Sequence, residues 1–303
     1  MKKLRFAIFG NTYQAKKSAC VQRLISILEE HGASLLIDKA FYGYLTDGLG
    51  ISVKPEALIE GSDFQADFVI SMGGDGTFLE AARHVGDKGT PILGINMGRL
   101  GFLSDYQAED IPSAIEHIYS GTYRIEERTV LMVEDDRHSI QGHPYALNEV
   151  AVLKHDNSSM ISIDVEVNGE FLTTYQADGL IVNTSTGSTG YALSVGGPII
   201  GPGSNIIGLV PVAPHSLTVR PLTISADATV RMKVKSRSHN FLLSLDGRSE
   251  SSQEGITLTI RKAPYSINVL KRSEGSFFRT LREKLMWGAD SREKGWIWQH
   301  LNR

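Results

Sequence analysis

The chain is short of several features that would assign it quickly. Its 303 residues contain one cysteine, Cys20. That excludes an intrachain disulfide framework and any metal site built from several cysteines, and it agrees with a reducing compartment. No window approaches the ~20 apolar residues that a membrane-spanning helix needs. Neither sign of charge is in excess. The formal net charge is −3, so no bulk basic field draws the chain to nucleic acid or anionic lipid. The opening MKKLRFAIFGNTY has an apolar stretch too short and mixed for a secretory signal, and no small-residue cleavage site follows. A cytoplasmic location is the expectation. The usual nucleotide fingerprints are also missing. No complete G-x-G-x-x-G occurs, and in GNTYQAKKS Ala15 stands where the second glycine of a phosphate loop belongs.

What is present is the composition of a soluble enzyme, 41% apolar and 21% charged, and a length that allows two domains. Residues 1–122 alternate strand and helix signals, as an open, mostly parallel α/β sheet should. LRFAIFG, SLLID, DFVISM and PILGINMG read as strands. AKKSACVQRLISILEEHG reads as an amphipathic helix ended by Gly32, and QAEDIPSAIEHIYSG as a helix that Gly121 ends. From 123 to 275 the texture is short runs of period-two alternation, which predicts an all-β sandwich. Asn168-Gly169 is its strongest hairpin signal. SFFRTLREKLMWG, in residues 276–303, reads as a last helix returning to the first domain. In the polar tail Trp296 and Trp298 fit either a partner anchor or a small packed patch.

Three stretches carry candidate chemistry. In FVISMGGDGTFLEAARHV, Gly73, Gly74, Asp75, Gly76 and Thr77 lie where a strand hands over to a helix. They can form a tight turn with Thr77 as cap. They can also form a nest whose backbone N–H groups approach a phosphate. A carboxylate in such a nest repels an anion unless it takes a proton or stands beside a metal that the phosphates bring. That points to phosphoryl transfer with Asp75 as base. In YQADGLIVNTSTGSTGYALSVGGPI, residues 175–199, a strand breaks into hydroxyls and glycines. This stretch is either a capped Ser/Thr loop or a ligand loop. In the ligand reading Tyr191 can stack or hydrogen-bond, Asp178 accepts, and Gly187 and Gly190 leave room for a flat group. In ALNEVAV, Asn148 and Glu149 are adjacent polar residues in an apolar strand. They are either a solvated strand end or part of a site.

Together these motifs resemble the NAD kinase family. The resemblance rests on GGDGT at 73–77, NMGRLGFLSD at 96–105, Asn148-Glu149, Asp178-Gly179 and TSTGSTGYALSVGGP at 184–198. It runs in order over most of the chain. It implies an α/β domain followed by a β-sandwich, an active site between them, and homodimers or homotetramers. It implies Asp75 as general base on the ribose 2′-hydroxyl, with Gly73, Gly74 and Gly76 cradling phosphates and Phe102 framing the adenine side. It places Asn148, Glu149, Asp178, Thr189, Gly190, Tyr191, Ala192, Leu193, Ser194 and Arg248 around the dinucleotide. Three positions depart from the family pattern: Ser185 for proline, Gly190 for alanine, and Arg248 for glutamine.

The expected activity is phosphorylation of NAD by ATP. A divalent metal, Mg²⁺, would arrive with the triphosphate, because no dense carboxylate cage appears in the sequence. Two other readings share parts of the pattern. A lipid or sugar kinase can carry the same glycine box, although no strong basic amphipathic helix offers a membrane face. A dinucleotide sensor would lose the acid at position 75, which is present here.

Overall fold

The computed structural model describes residues 3–12, 18–98, 101–155, 159–272 and 276–288. The chain forms two compact units, one of residues up to Glu126 together with those from Asn268 on, the other of Glu127–Ile267.

The first unit runs β1 (Arg5–Gly10), α1 (Ser18–Glu30), β2 (Ser34–Asp38), α2 (Lys39–Gly43), β3 (Ala57–Ile59), β4 (Phe68–Gly73), α3 (Asp75–Val85), β5 (Ile92–Asn96), β6 (Tyr106–Gln107) and α4 (Ile111–Ser120). Its strands lie in the order β3-β2-β1-β4-β5, all parallel. They read as continuous apolar runs because both faces are covered. On one face Phe6, Ile8, Ile70 and Leu93 pack with Leu24 and Leu28 of α1 and Ile115 of α4. On the other, Phe9 stacks on His84 of α3 at 5.2 Å between ring centres. Gly121 ends α4 at φ 72°, as expected from the sequence. The chain builds outward from β1 to β3, then returns to place β4 on the other side of β1. Strand order therefore reverses between β1 and β4. In open α/β sheets ligands bind beyond the carboxyl ends of the strands at such a point. The glycine-rich stretch lies at the carboxyl end of β4.

The second unit is an antiparallel sandwich. β7 (Arg124–Asp135) carries the chain into it. β8 (Tyr145–Ala146), β9 (Glu149–Lys154), β10 (Ile161–Val167), β11 (Glu170–Ala177), β12 (Gly179–Asn183), α5 (Tyr191–Ser194), β13 (Ile206–Val212), β14 (Leu222–Ser225), β15 (Val230–Lys235), β16 (Asn240–Leu245) and β17 (Arg248–Gln253) follow, and β18 (Thr257–Lys271) carries the chain out. One sheet has the order β14-β13-β12-β9-β16-β17; β11, β10, β15 and the start of β18 form the other. Alternate residues, among them Ile163, Val165, Met232 and Leu258 from one sheet and Val152, Val182, Leu209 and Phe241 from the other, share one core. The Asn168-Gly169 hairpin is formed, with both residues at positive φ, 53° and 83°. These are the signs of a type I′ turn, whose twist matches the strands it joins. After β18 the last helix, α6 (Phe277–Leu285), belongs to the first unit. Trp296 and Trp298 lie outside the described residues. No helix among the described residues is long and apolar enough to cross a membrane.

Two details differ from the sequence reading. α3 begins at Asp75, its N-cap is Gly74, and no side chain caps it. Thr77 is thus in the first turn rather than at the cap. YALNEVAVLK, read as one strand, is broken into β8 and β9. The N–H groups of Leu147, Asn148 and Glu149 leave the ladder to donate to the Asp246 carboxylate at 2.7–3.0 Å.

Candidate active site

In the first unit the site is built around Asp75. Being the first residue of α3, it projects from the helix N-terminus. Its Oδ2 accepts the N–H of Phe102 at 2.9 Å, and its Oδ1 accepts that of Leu103 at 3.2 Å. The carboxylate is therefore aimed by the loop after β5, and each oxygen keeps a lone pair. The loop can come this close because residue 101 is glycine: a Cβ there would lie 2.8 Å from Asp75 Oδ1. Cβ atoms built on Gly74 and Gly76 would meet nothing within 4 Å. The backbone on either side of the acid is therefore open to a ligand. Phe102 is half-buried, and the ammonium of Lys284 stands 5.7 Å from its ring centre.

In the second unit the centre is the break before β9. Asn148 Oδ1 and Glu149 Oε2 are buried without a hydrogen-bond partner among the described residues, and so is Asn183 Oδ1 at the end of β12. Asn183 is the register partner of Glu149, so the two side chains share a sheet face. Buried acceptors are almost always satisfied, and an enclosed, unpaired group costs about 1–3 kcal/mol. Three together argue for a ligand that supplies donors. Burial, and secondly the Asp246 carboxylate, push the Glu149 carboxyl up to about 7. Burial raises Asp246 as well, against the pull of its three N–H donors and of the Arg248 guanidinium.

The loop after β12 packs against this break. Thr184 Oγ1 donates to Leu147 O at 2.6 Å, and Ser188 Oγ donates to Ser185 O at 2.7 Å and accepts from the N–H of Ile200 at 3.0 Å. Thr184, Ser185, Thr186 and Ser188 are all buried. The hydroxyls of Thr184 and Ser188 thus hold the loop together rather than face outward. A Cβ on Gly187 would lie 2.1 Å from Asn148 O, so this glycine serves close packing of loop on strand. Gly190 opens toward the unpaired acceptors, its would-be Cβ 3.2 Å from Glu149 Oε2. Ala192 is buried with Ala151, Ile181 and Val210, under a loop that leaves Tyr191 39% exposed. Leu193 is half-buried and Ser194 exposed. Thr189 Oγ1 donates to Thr186 O at 3.3 Å.

Two further candidates stand elsewhere or are otherwise engaged. Asp178 precedes β12, whereas Asn183 ends it, so about 16 Å of strand separates Asp178 from the Asn148–Glu149 centre. Its carboxylate pairs with Lys154 at 2.9 Å. Arg248 donates to the carbonyls of His143 and Tyr145 at 3.0 and 2.8 Å, bracing β8. The sequence reading missed Asp246 and Asn183. Asp246-Gly247 joins β16 to β17 with both residues at positive φ, 48° and 81°. The D-G hairpin signal could have located the turn, though not the target of its carboxylate.

A parallel sheet with an acid in a glycine nest at its switch point, followed by a sandwich with enclosed empty acceptors, defines a two-domain nucleotide-binding protein of the kinase type. Residues 6–123 match the ATP-NAD kinase N-terminal domain and residues 147–272 match the ATP-NAD kinase C-terminal domain. The chain is 57% identical to an NAD kinase of Bacteroides fragilis over 290 residues, covering 95% of this chain and 100% of the relative. It is 40% identical to an NAD kinase of Flavobacterium psychrophilum, with 95% and 100% covered. Among solved structures, an NAD kinase from Archaeoglobus fulgidus in complex with ATP superposes with a TM-score of 0.71 at 25% identity, over 93% of this chain and 99% of that one. Yeast NADH kinase complexed with NADH gives 0.86 at 22% identity, over 97% and 91%, a likeness of fold. The chain belongs to the ATP-NAD kinase family.

Proposed function

We propose that this chain transfers the γ-phosphoryl group of ATP to the 2′-hydroxyl of the adenosine ribose of NAD, giving NADP. The observation that carries the mechanism is the Asp75 carboxylate, held by two backbone N–H groups inside an otherwise open glycine nest. Asp75 takes the hydroxyl proton as the ribose oxygen attacks the γ-phosphorus. The bond to the bridging oxygen breaks and ADP leaves. The backbone around Gly74 and Gly76 supplies donors to phosphate oxygens. Asn148, Glu149 and Tyr191 hold the dinucleotide, and the enclosed acceptors of the first two receive its hydroxyl or amino donors. Positioning and charge stabilisation carry most of the rate in such transfers.

No group of three or more His, Cys, Asp or Glu side chains that could hold a metal ion is gathered among the described residues. A Mg²⁺ ion would take most of its ligands from the triphosphate and water. Bound there, the metal supplies charge neutralisation on the phosphates. The protein is further proposed to work in the cytoplasm as a homodimer or homotetramer, which light scattering would size. The decisive assay incubates the purified protein with NAD, ATP and Mg²⁺ and measures NADP. A lipid and a sugar panel run in parallel would reveal another acceptor, and absence of NADP would overturn the reading.

The Tyr191 hydroxyl offers a second test. The ring is too exposed to be a core residue, so Tyr191→Phe should leave the melting temperature unchanged. It removes one hydrogen bond, worth about 0.5–1.5 kcal/mol and up to about 3 to a charged partner. If that partner is the new 2′-phosphate, calorimetry should show a larger loss for NADP than for NAD. Equal losses would take Tyr191 out of contact with the phosphate.

A further inference from the structure

A polar cavity of about 380 Å³ lies between the last helix and the loop after β5, lined by Ser104, Asp105, Arg272, Arg279 and Lys284 among others. Most cations in this corner are matched. Arg272 pairs with Asp110, Arg279 with Glu283 at 2.7 Å, and Lys271 with Asp105 at 2.8 Å. Lys284 is different. Its ammonium has no carboxylate within salt-bridge distance among the described residues, and its one hydrogen bond there, to Ser104 O, is long at 3.4 Å. Burial lowers its pKa, an effect opposed by the nearby charges of Asp75 and Asp105 and reinforced by Lys271. A partly desolvated ammonium with donors to spare is costly unless an anion completes it.

The surroundings say which anion. Lys284 stands over the ring of Phe102 and donates to Ser104, and the N–H of Phe102 is one of the two that hold Asp75. Asp75 puts a negative charge in the same nest that the proposed reaction fills with a triphosphate. Two anions at such range repel strongly in a partly dry site. A cation at the edge of the nest offsets that repulsion and is available to the charge that moves toward the leaving group.

We propose that the Lys284 ammonium contacts a phosphate oxygen of bound ATP beside Asp75. This rests on the NAD kinase reading given above. The alternative is that Lys284 only fastens α6 to the Phe102–Ser104 loop.

The test uses the full chain and the variants Lys284→Met, which keeps the apolar stem, and Lys284→Arg, which keeps the charge. ATP with Mg²⁺ is titrated in the absence of NAD, and NAD is titrated separately. Lys284→Met should weaken ATP binding by roughly 10- to 100-fold, the loss of one charge-assisted hydrogen bond. NAD affinity should stay within about two-fold, and Lys284→Arg should restore most of the ATP affinity. The pH profile gives a readout that fastening would not move. ATP affinity of the parent should fall on the alkaline side as Lys284 loses its proton, while Arg at that position should remove this limb. The charged groups facing Lys284 are Asp75 from α3, Asp105 from the loop, Lys271 from β18 and Glu283 from its own helix. Unchanged ATP affinity in Lys284→Met would overturn the proposal. So would a fall in melting temperature with normal affinity per folded molecule. If the parent makes no NADP, the kinase reading fails, and the ATP titrations still decide the case for Lys284.

Discussion

Asp75→Asn should lower the rate of NADP formation by roughly 10²–10⁴-fold, the usual contribution of a general base. The amide has the shape of the carboxylate, and its oxygen can still accept one of the two N–H groups, from Phe102 or Leu103, that now hold Asp75. It cannot take up the hydroxyl proton. One loop N–H then meets an amide NH₂ instead of an oxygen, so a small loss of stability accompanies the kinetic effect. NAD affinity should change far less than turnover. The diagnostic measurement is single-turnover formation of NADP at saturating ATP. A variant that keeps more than a tenth of the parental rate would show that Asp75 only shapes the loop.

A second large effect concerns pH and Glu149. Its carboxyl is pushed up to about 7 by burial and by Asp246, against about 4.3 for a free glutamate. Between these values the folded protein holds a proton that the unfolded chain has released. Stability must therefore fall as pH rises from about 4.5 to 7, and it stays reduced above that range. The full loss is on the order of 3 kcal/mol. Glu149→Gln removes the titration. Relative to the parent, the variant should gain about that much between pH 5 and pH 8 in urea unfolding. It should also bind NAD more weakly at pH 8, where the carboxylate is the better acceptor. A stability difference that does not move with pH would mean that Glu149 is ionised at ordinary cost. With its carboxyl raised, Glu149 costs the fold stability above about pH 7, the kind of cost that residues at ligand sites carry.

Much of the fold was legible for a local reason. The apolar runs of β1, β2, β4 and β5, the helical spacing of α1 and α4, and the Asn168-Gly169 turn are each set by residues within one short window. The small elements between β2 and β4 were not read. α2 and β3 are brief and carry no full period, so nothing in the sequence separates them from loop. Residues 73–77 also stood out, because an acid among three glycines at a strand-helix junction is unusual for a plain turn, and the structure holds that acid by two backbone N–H groups.

Other features depend on groups far apart in the chain. Asp246 meets Leu147, Asn148 and Glu149 across nearly a hundred residues. That contact breaks a strand which the alternation alone predicts to be continuous. The hydroxyls of Thr184 and Ser188 look like ligand groups in the sequence, yet packing turns them onto the backbone of their own loop and onto Leu147 and Ile200. Arg248 looks like a charge for the ligand, yet its donors meet two carbonyls near β8. Lys284 is one of several basic residues on an amphipathic helix until the fold sets it over the Phe102 ring, within electrostatic reach of Asp75. The sequence by itself determined the two-part architecture and the family, because periodicity and turn chemistry act between near neighbours. Which polar groups are satisfied and which are left without a partner among the described residues was decided only by the tertiary structure, because a hydrogen bond depends on distance in space and not along the chain.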